Sequence, residues 1–322
     1  MSVPNSKWLG LPYPEMRMMD EIAMLSALGV LHRRKRYGRL LYLNRDPSIG
    51  SDSNVPDKAG LPFDRPLYTL AACLSYCESG RGDIIVLQPS IYDVTEDDVS
   101  IAIADLTLVG MLDPTSGYGF NPDAASTATI LSLAAAADNV LIKNLRFDTT
   151  TGLQSAIATV SGSHFLKVED CFFNLVGTTG PTGFGIDMDA GKVAYPVIRN
   201  CTFHLGTLIV AAIWIECNDA LPFGALVENC NIVSILNGAG TGAAGGIYVA
   251  DGTGVIVKDC DIQGGDPATA YNIGDGIEIA AGVLNTMISG CTIGNCDAGV
   301  TDGGTDTSGA TAGEGWIDTT HA

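Results

Sequence analysis

The sequence predicts an all-β solenoid, a parallel β-helix of about seven rungs, and three observations carry that prediction. A short segment with Asn or Asp ahead of a cysteine returns about every thirty residues. A second, alternating strand motif lies between its copies. The composition suits turn-rich β structure, with 39 Gly and only 17 Lys+Arg among 322 residues.

Cys171, Cys201, Cys230, Cys260 and Cys291 follow one another at steps of 30, 29, 30 and 31 residues. The segments around them are "FLKVEDCFF", "PVIRNCTF", "ALVENCNI", "VIVKDCDI" and "TMISGCTI". Two earlier segments, "IAIADLTL" (101–108) and "VLIKNLRF" (140–147), align with Leu106 and Leu145 at the cysteine position. Three residues before it stand Ile103, Ile142, Val168, Ile198, Val227, Val257 and Ile288. Two residues after it stand Leu108, Phe147, Phe173, Phe203, Ile232, Ile262 and Ile293. Both columns are apolar throughout and are expected to face inward. The residue just before the cysteine is Asp, Asn or Gly in every copy, types that tolerate a left-handed backbone and turn the chain between two strands. Two before it, Lys143, Glu169, Arg199, Glu228 and Lys258 alternate in sign, as an outward charge ladder would.

The second motif comprises "AIATVSG" (156–162), "GIDMDAG" (185–191), "AIWIECND" (212–219), "GIYVADG" (246–252) and "GIEIAAG" (276–282). Apolar and variable residues alternate, and Gly or Asn-Asp closes each strand. Repeated strands of one direction with stacked columns describe a parallel β-helix. The recurring cysteines then form a buried column. Rungs ~4.8 Å apart hold parallel side chains well beyond the ~2.05 Å of a disulfide, so free structural thiols are expected.

The opening unit holds "LNRDPSIGSDSN" (43–54), then "PLYTLAACLSYCESGRGDIIVLQPSIYDV" (66–94) and "VSIAIADLTLVGM" (99–111). With the repeat, it resembles the pectate-lyase-like superfamily of right-handed parallel β-helix proteins, most of all its non-enzymatic, spike-like phage members. The resemblance covers about residues 40–300 and implies a right-handed coil. It implies little about function, because that fold serves lyases, hydrolases, epimerases and viral spikes. "IWIEC" (213–217) resembles a pectate-lyase strand whose Asp binds calcium, but Glu216 and Cys217 replace its Asp and His. "GDGIEI" (274–279) resembles polygalacturonases faintly, without that family's Gly-His-Gly and Arg-Ile-Lys elements.

The expected organisation is an N-terminal helical, basic anchor arm (1–45), an entry loop and capping helix (46–83), the β-helix (84–300) and a Gly/Thr-rich tail (301–322). The capping helix is placed at about Leu67–Cys77, and "RGD" at Arg81–Asp83 is read as the turn into the first strand. Met16, Met19, Ile22, Leu25 and Leu28 give the arm an apolar face, and Arg33, Arg34, Lys35 and Arg36 end it with positive charge. Residues 1–45 carry five more basic than acidic residues, so a net charge of −19 for the whole leaves −24 on the rest. That acidic body argues against nucleic acid as a partner. No apolar run reaches the ~20 residues of a membrane span. No phosphate-binding loop, dinucleotide fingerprint or zinc spacing occurs, so neither cofactor nor metal is expected.

One stripe of outward residues stands apart. Asp187, Trp214, Tyr248 and Glu278 occupy one position of the second motif, and Asp189 and Glu216 the next outward position. Aromatic faces flanked by carboxylates suit either a glycan site or a protein interface, and no catalytic residue is assigned. The favoured expectation is a bacteriophage-type virion protein, a capsid decoration or tail spike. It would be assembled in the host cytoplasm as a homotrimer, attached to other virion proteins through the arm and touching host surface polysaccharide. The alternative is a polysaccharide-degrading lyase or glycoside hydrolase that uses the stripe.

Overall fold

The computed structural model describes residues 38–318, apart from the short segments 58–59, 91–92, 97, 112, 117–118, 122–127, 150–154, 161–162, 176–182, 191–192, 207–208, 218–223, 235–244, 266–272, 297, 306 and 314–315. The anchor residues Met16, Met19, Ile22, Leu25, Leu28, Arg33, Arg34, Lys35 and Arg36 lie outside the described residues.

The chain coils into a parallel β-solenoid. Strands on one side include Leu141–Lys143, Lys167–Glu169, Val197–Arg199, Leu226–Glu228 and Ile256–Lys258, each paired in parallel with the next. A tight corner leads from each into a strand of the second side: Arg146–Thr149, Phe172–Leu175, Thr202–Leu205, Asn231–Ser234 and Asp261–Gln263. Met287–Gly294 runs through the corner as one strand and joins both sides into a 15-stranded sheet. The third side is a separate 9-stranded sheet that includes Ile157–Val160, Gly183–Ala190, Ile209–Glu216, Gly245–Asp251, Asp275–Ile279 and Ala298–Asp302. Five successive turns between Leu141 and Ile279 lay down three separate strands each, fewer than the seven rungs expected from the repeat.

Part of that difference is a register correction. Leu108 pairs with Ile142, not with Phe147, so the segment 101–108 sits at a different corner from the other copies. Asp105 stacks under Asn139, whose side-chain amide donates to the Asp105 carboxylate. Both corners demand the same local conformation: Asp105 and Asn139 have φ of 59° and 54°, and Asn144, Asp170 and Asn200 have 54°, 55° and 54°. Two corners with one backbone requirement attract one residue type, and short-range pattern cannot tell them apart. From Asn144 onward the turn column is as expected. It also carries a side-chain ladder, in which Asn200 Nδ2 donates to Asp170 Oδ1 at 2.9 Å and Asn229 Nδ2 to Asn200 Oδ1 at 3.0 Å.

The interior is built of stacked like residues. Phe147, Phe173 and Phe203 are in register, with ring centroids 5.1 and 4.5 Å apart, and Phe120 extends the stack at 5.3 Å. The cysteine column is buried and all nine cysteines are free thiols, as expected. Cys171 and Cys201 each donate to the carbonyl two residues earlier, at 3.3 Å. Burial holds the Cys73 and Cys201 thiols well above the ordinary thiol range. Outside, the charge ladder forms: Lys143 reaches Asp170 at 3.1 Å, Arg199 reaches Glu169 at 3.2 Å and Lys258 reaches Glu228 at 2.7 Å.

At the N-terminal end Leu40–Leu43 is already a buried strand paired with Ile84–Leu87, so sheet structure begins inside the segment assigned to the arm. Helix α1 (Leu70–Ser75) is shorter than expected and buries Leu70 and Cys73. Its free N–H groups are capped by Thr69 and by Glu96, which accepts from Leu70 at 2.6 Å. "RGD" is structural. Asp83 is buried, accepts from the Arg39 and Glu78 amides at 2.6 and 2.7 Å, and pairs with Arg81 at 2.7 Å. At the other end Ser308–Gly313 and Trp316–Asp318 extend both sheets, so part of the Gly/Thr-rich segment continues the coil.

Candidate functional site

The 9-stranded sheet stacks the outward stripe in the predicted order. Ala158 pairs with Asp187, Asp187 with Trp214, Trp214 with Tyr248, and Tyr248 with Glu278; Thr301 continues the column. A second column arises because each strand bends. Between Asp275 and Glu278, for instance, both Gly276 and Ile277 point inward, so residues three apart share the outer face. That column reads Phe184, Ala211, Gly245 and Asp275. Asp275 and Phe184 therefore belong to the site, although strict alternation along the strand hides them.

The aromatic residues form one contact group. Trp214 and Tyr248 lie with centroids 4.2 Å apart at 50°, and the Phe184 ring meets Trp214 edge-on at 5.3 Å. The Trp214 indole Nε1 is buried without an acceptor, an unmet donor of the kind that costs ~1–3 kcal/mol and is rare in a core. Beside Tyr248, Gly245 leaves a notch: a Cβ placed there would meet only the Asp275 carbonyl, at 3.6 Å. Asp275 borders the notch and is oriented by Thr301, whose hydroxyl donates to it at 2.7 Å. Glu278 stands three residues along the same strand, opposite Tyr248. Burial, and then the charge of Asp275, push the Glu278 carboxyl above its ordinary range. Burial, and then Glu278, raise the Tyr248 phenol.

The other predicted members are placed less centrally. Asp187 is in the stripe and accepts from the Ser155 hydroxyl at 3.4 Å. It stands three strands from Glu278, ~14 Å at the ~4.8 Å strand spacing, too far for the two to act on one bond. Glu216 is opposite Asp251, because a bulge shifts the register past Ala250. Asp189 lies on the Gly183–Ala190 strand, but its side chain is outside the described residues. Among the described residues no cluster of three or more His, Cys, Asp or Glu is arranged to hold a metal ion. A separate cleft of about 450 Å³ lies at the asparagine corner, lined by Asp113, Asn144, Asp170 and Phe172 among others. There Asp170 is taken by Lys143.

No protein-family model matches this chain, and no curated protein matches it in sequence. Solved structures do. The chain is similar to a rhamnogalacturonan lyase, with a TM-score of 0.55 and 13% identity over 80% of this chain and 68% of that one. It is also similar to the pectin methylesterase PemA from Erwinia chrysanthemi, with a TM-score of 0.48 and 12% identity over 84% and 80% of the two chains. At such identity the likeness establishes the fold alone, a parallel β-helix. It also corrects the expected function. The rhamnogalacturonan lyase bears an enzyme's name, which fits the alternative better than the virion structural reading, and that reading is not carried further.

Proposed function

We propose that this chain is a polysaccharide-degrading enzyme whose substrate lies across the 9-stranded sheet, with Trp214 and Tyr248 as its platform. The observation that carries the reading is the pair Asp275, opposite Gly245, and Glu278, opposite Tyr248, on one strand beside two packed aromatic rings. Aromatic faces stack on the apolar faces of sugar rings. The two carboxylates are three residues apart, at most ~10 Å between Cα atoms at ~3.3 Å per residue. Inverting glycosidases use such a pair on opposite sides of an attacking water, and Asp275 lies close enough to Glu278 for its charge to raise the Glu278 carboxyl.

The roles follow from the environments. Glu278, held protonated to higher pH by burial and by Asp275, donates its proton to the glycosidic oxygen as the carbon–oxygen bond breaks. Asp275, fixed by Thr301, takes a proton from the water that forms the new bond at the anomeric carbon. Incubation with a polysaccharide panel should release reducing ends. Glu278→Gln and Asp275→Asn should each lower kcat by about 10²-fold or more while binding persists. Binding without turnover on any polymer would reduce the chain to a glycan-binding module and sink the hydrolytic reading.

A further inference from the structure

The first side of the coil, built from Leu141–Lys143 and the strands stacked on it, has an outer face of three columns. In Val197–Arg199, Leu226–Glu228 and Ile256–Lys258 the middle residue is buried and its two neighbours point outward. One outward column is the charge ladder. The other is mostly apolar: Val197, Leu226 and Ile256 are half-buried and Met287 is 39% exposed. The third column stands at the turn into each strand. There Phe165 and Tyr195 stack at 5.2 Å, with φ of 58° and 56°. That left-handed conformation is costly for a bulky residue, yet Phe165 remains 46% exposed. Two rungs of the same column carry glycine instead, Gly224 and Gly254.

All three columns are complementary to themselves when reversed about one point, midway between Val197–Arg199 and Leu226–Glu228. Reversal sets Arg199 against Glu228, and Glu169, buried beside Arg199, against Lys258. It sets Val197 against Leu226, and the stem of Lys167 against Ile256. At the turn it sets the Tyr195 ring against Gly224 and the Phe165 ring against Gly254. From this we propose that the face is an isologous interface between two copies of this chain, packed about a two-fold axis along the strands with their coils antiparallel. A parallel pairing in the same register would bring each charge onto its like. The bonds within each chain survive: the Glu169–Arg199 pair lies across the Lys258–Glu228 pair of the second copy, with signs opposed. Six strands at ~4.8 Å and a face ~16 Å wide give roughly 500 Å² per copy, about 1,000 Å² in all, at the lower limit for a specific interface. The dimer is therefore a weak one that forms at roughly micromolar concentration.

Sedimentation velocity on the full chain, across about 1–200 µM, should show a reversible monomer–dimer equilibrium. Leu226→Glu, at an outward position, should keep the melting temperature and weaken the dimer about ten-fold or more. Arg199→Glu and Glu228→Arg should each weaken it similarly, because each sets like charges across the axis. An equimolar mixture of those two variants should restore it, because every charge at the axis then meets its opposite. Should Arg199→Glu lower the melt by losing its bond to Glu169, Leu226→Glu and Glu228→Arg carry the test. Trp214→Ala, on the other sheet, should leave the dimer as it is. A monomer throughout the range, a trimer, or a dimer indifferent to Leu226→Glu would overturn the proposal. So would a dimer that Leu226→Glu dissolves but Glu228→Arg leaves unchanged, since the antiparallel order requires that charge.

Discussion

The two sheets of this solenoid use outward residues in opposite ways. On the 15-stranded sheet, outward groups find partners within the chain. The ladder from Lys143 to Lys258 alternates in sign and pairs rung to rung, and asparagines bond to their neighbours at the corner. Arg146 grips Asp148, lies over Phe172 at 5.0 Å, and lowers, after burial, the pKa of His204. On the 9-stranded sheet the outward residues are rings, carboxylates and a glycine notch, with no cation on the strands. The backbone ladders are the same kind on both sides. What differs is the kind of residue that faces outward: charges of alternating sign on one side, aromatic rings and carboxylates on the other, where the proposed glycan would lie.

The sharpest way to break the contrast is to strike the shared interior. Ile198→Asp places a charge in a column that contacts rungs on both sides, and should cost roughly 4–5 kcal/mol or more. Circular dichroism on heating should show the β signal lost or its melt lowered steeply, and a wild-type melt would refute the stacking. Phe203→Ala, which interrupts the phenylalanine stack, should cost ~3–5 kcal/mol in urea unfolding.

Substitutions on the two faces should then separate stability from binding. Asn200→Ala gives up two ladder bonds and forces a left-handed φ of 54° on alanine, for a loss of ~1–3 kcal/mol. Asn200→Gly should recover the backbone part. Neither should alter glycan affinity, whereas Trp214→Ala should weaken it about ten-fold or more while the melting temperature moves little by comparison. If Asn200→Ala also removed binding, the division of labour between the sheets would be wrong.

The smallest effect is on pH dependence. The Glu278 carboxyl is raised in the folded state, so between its ordinary and its raised value the folded state binds more proton than the unfolded one. Stability therefore falls as pH rises through that window. Glu278→Gln should flatten that fall, measured as melting temperature against pH, and the acid-catalysed turnover should decline over the same window in the wild type alone.

Much of the fold is legible in the sequence, because a solenoid repeats one local problem. Position 198 needs a β-branched residue for the same reason as position 227, and the turn before each cysteine of the column needs Asn, Asp or Gly for its positive φ. Those demands are short-range and leave a column that can be read by eye. The stripe from Asp187 to Glu278 is legible on the same grounds. What only the tertiary structure decides is register at the irregular places. The corner to which Asp105 belongs, the bulge that sets Glu216 against Asp251, and the bend that turns Asp275 to the face of Glu278 all depend on how one turn of the coil lies on the next. A one-residue shift or a double inward step leaves the composition of a strand unchanged while it moves side chains from core to surface. The candidate acid/base pair lies at such a step, so the sequence held both carboxylates and only packing could place them together.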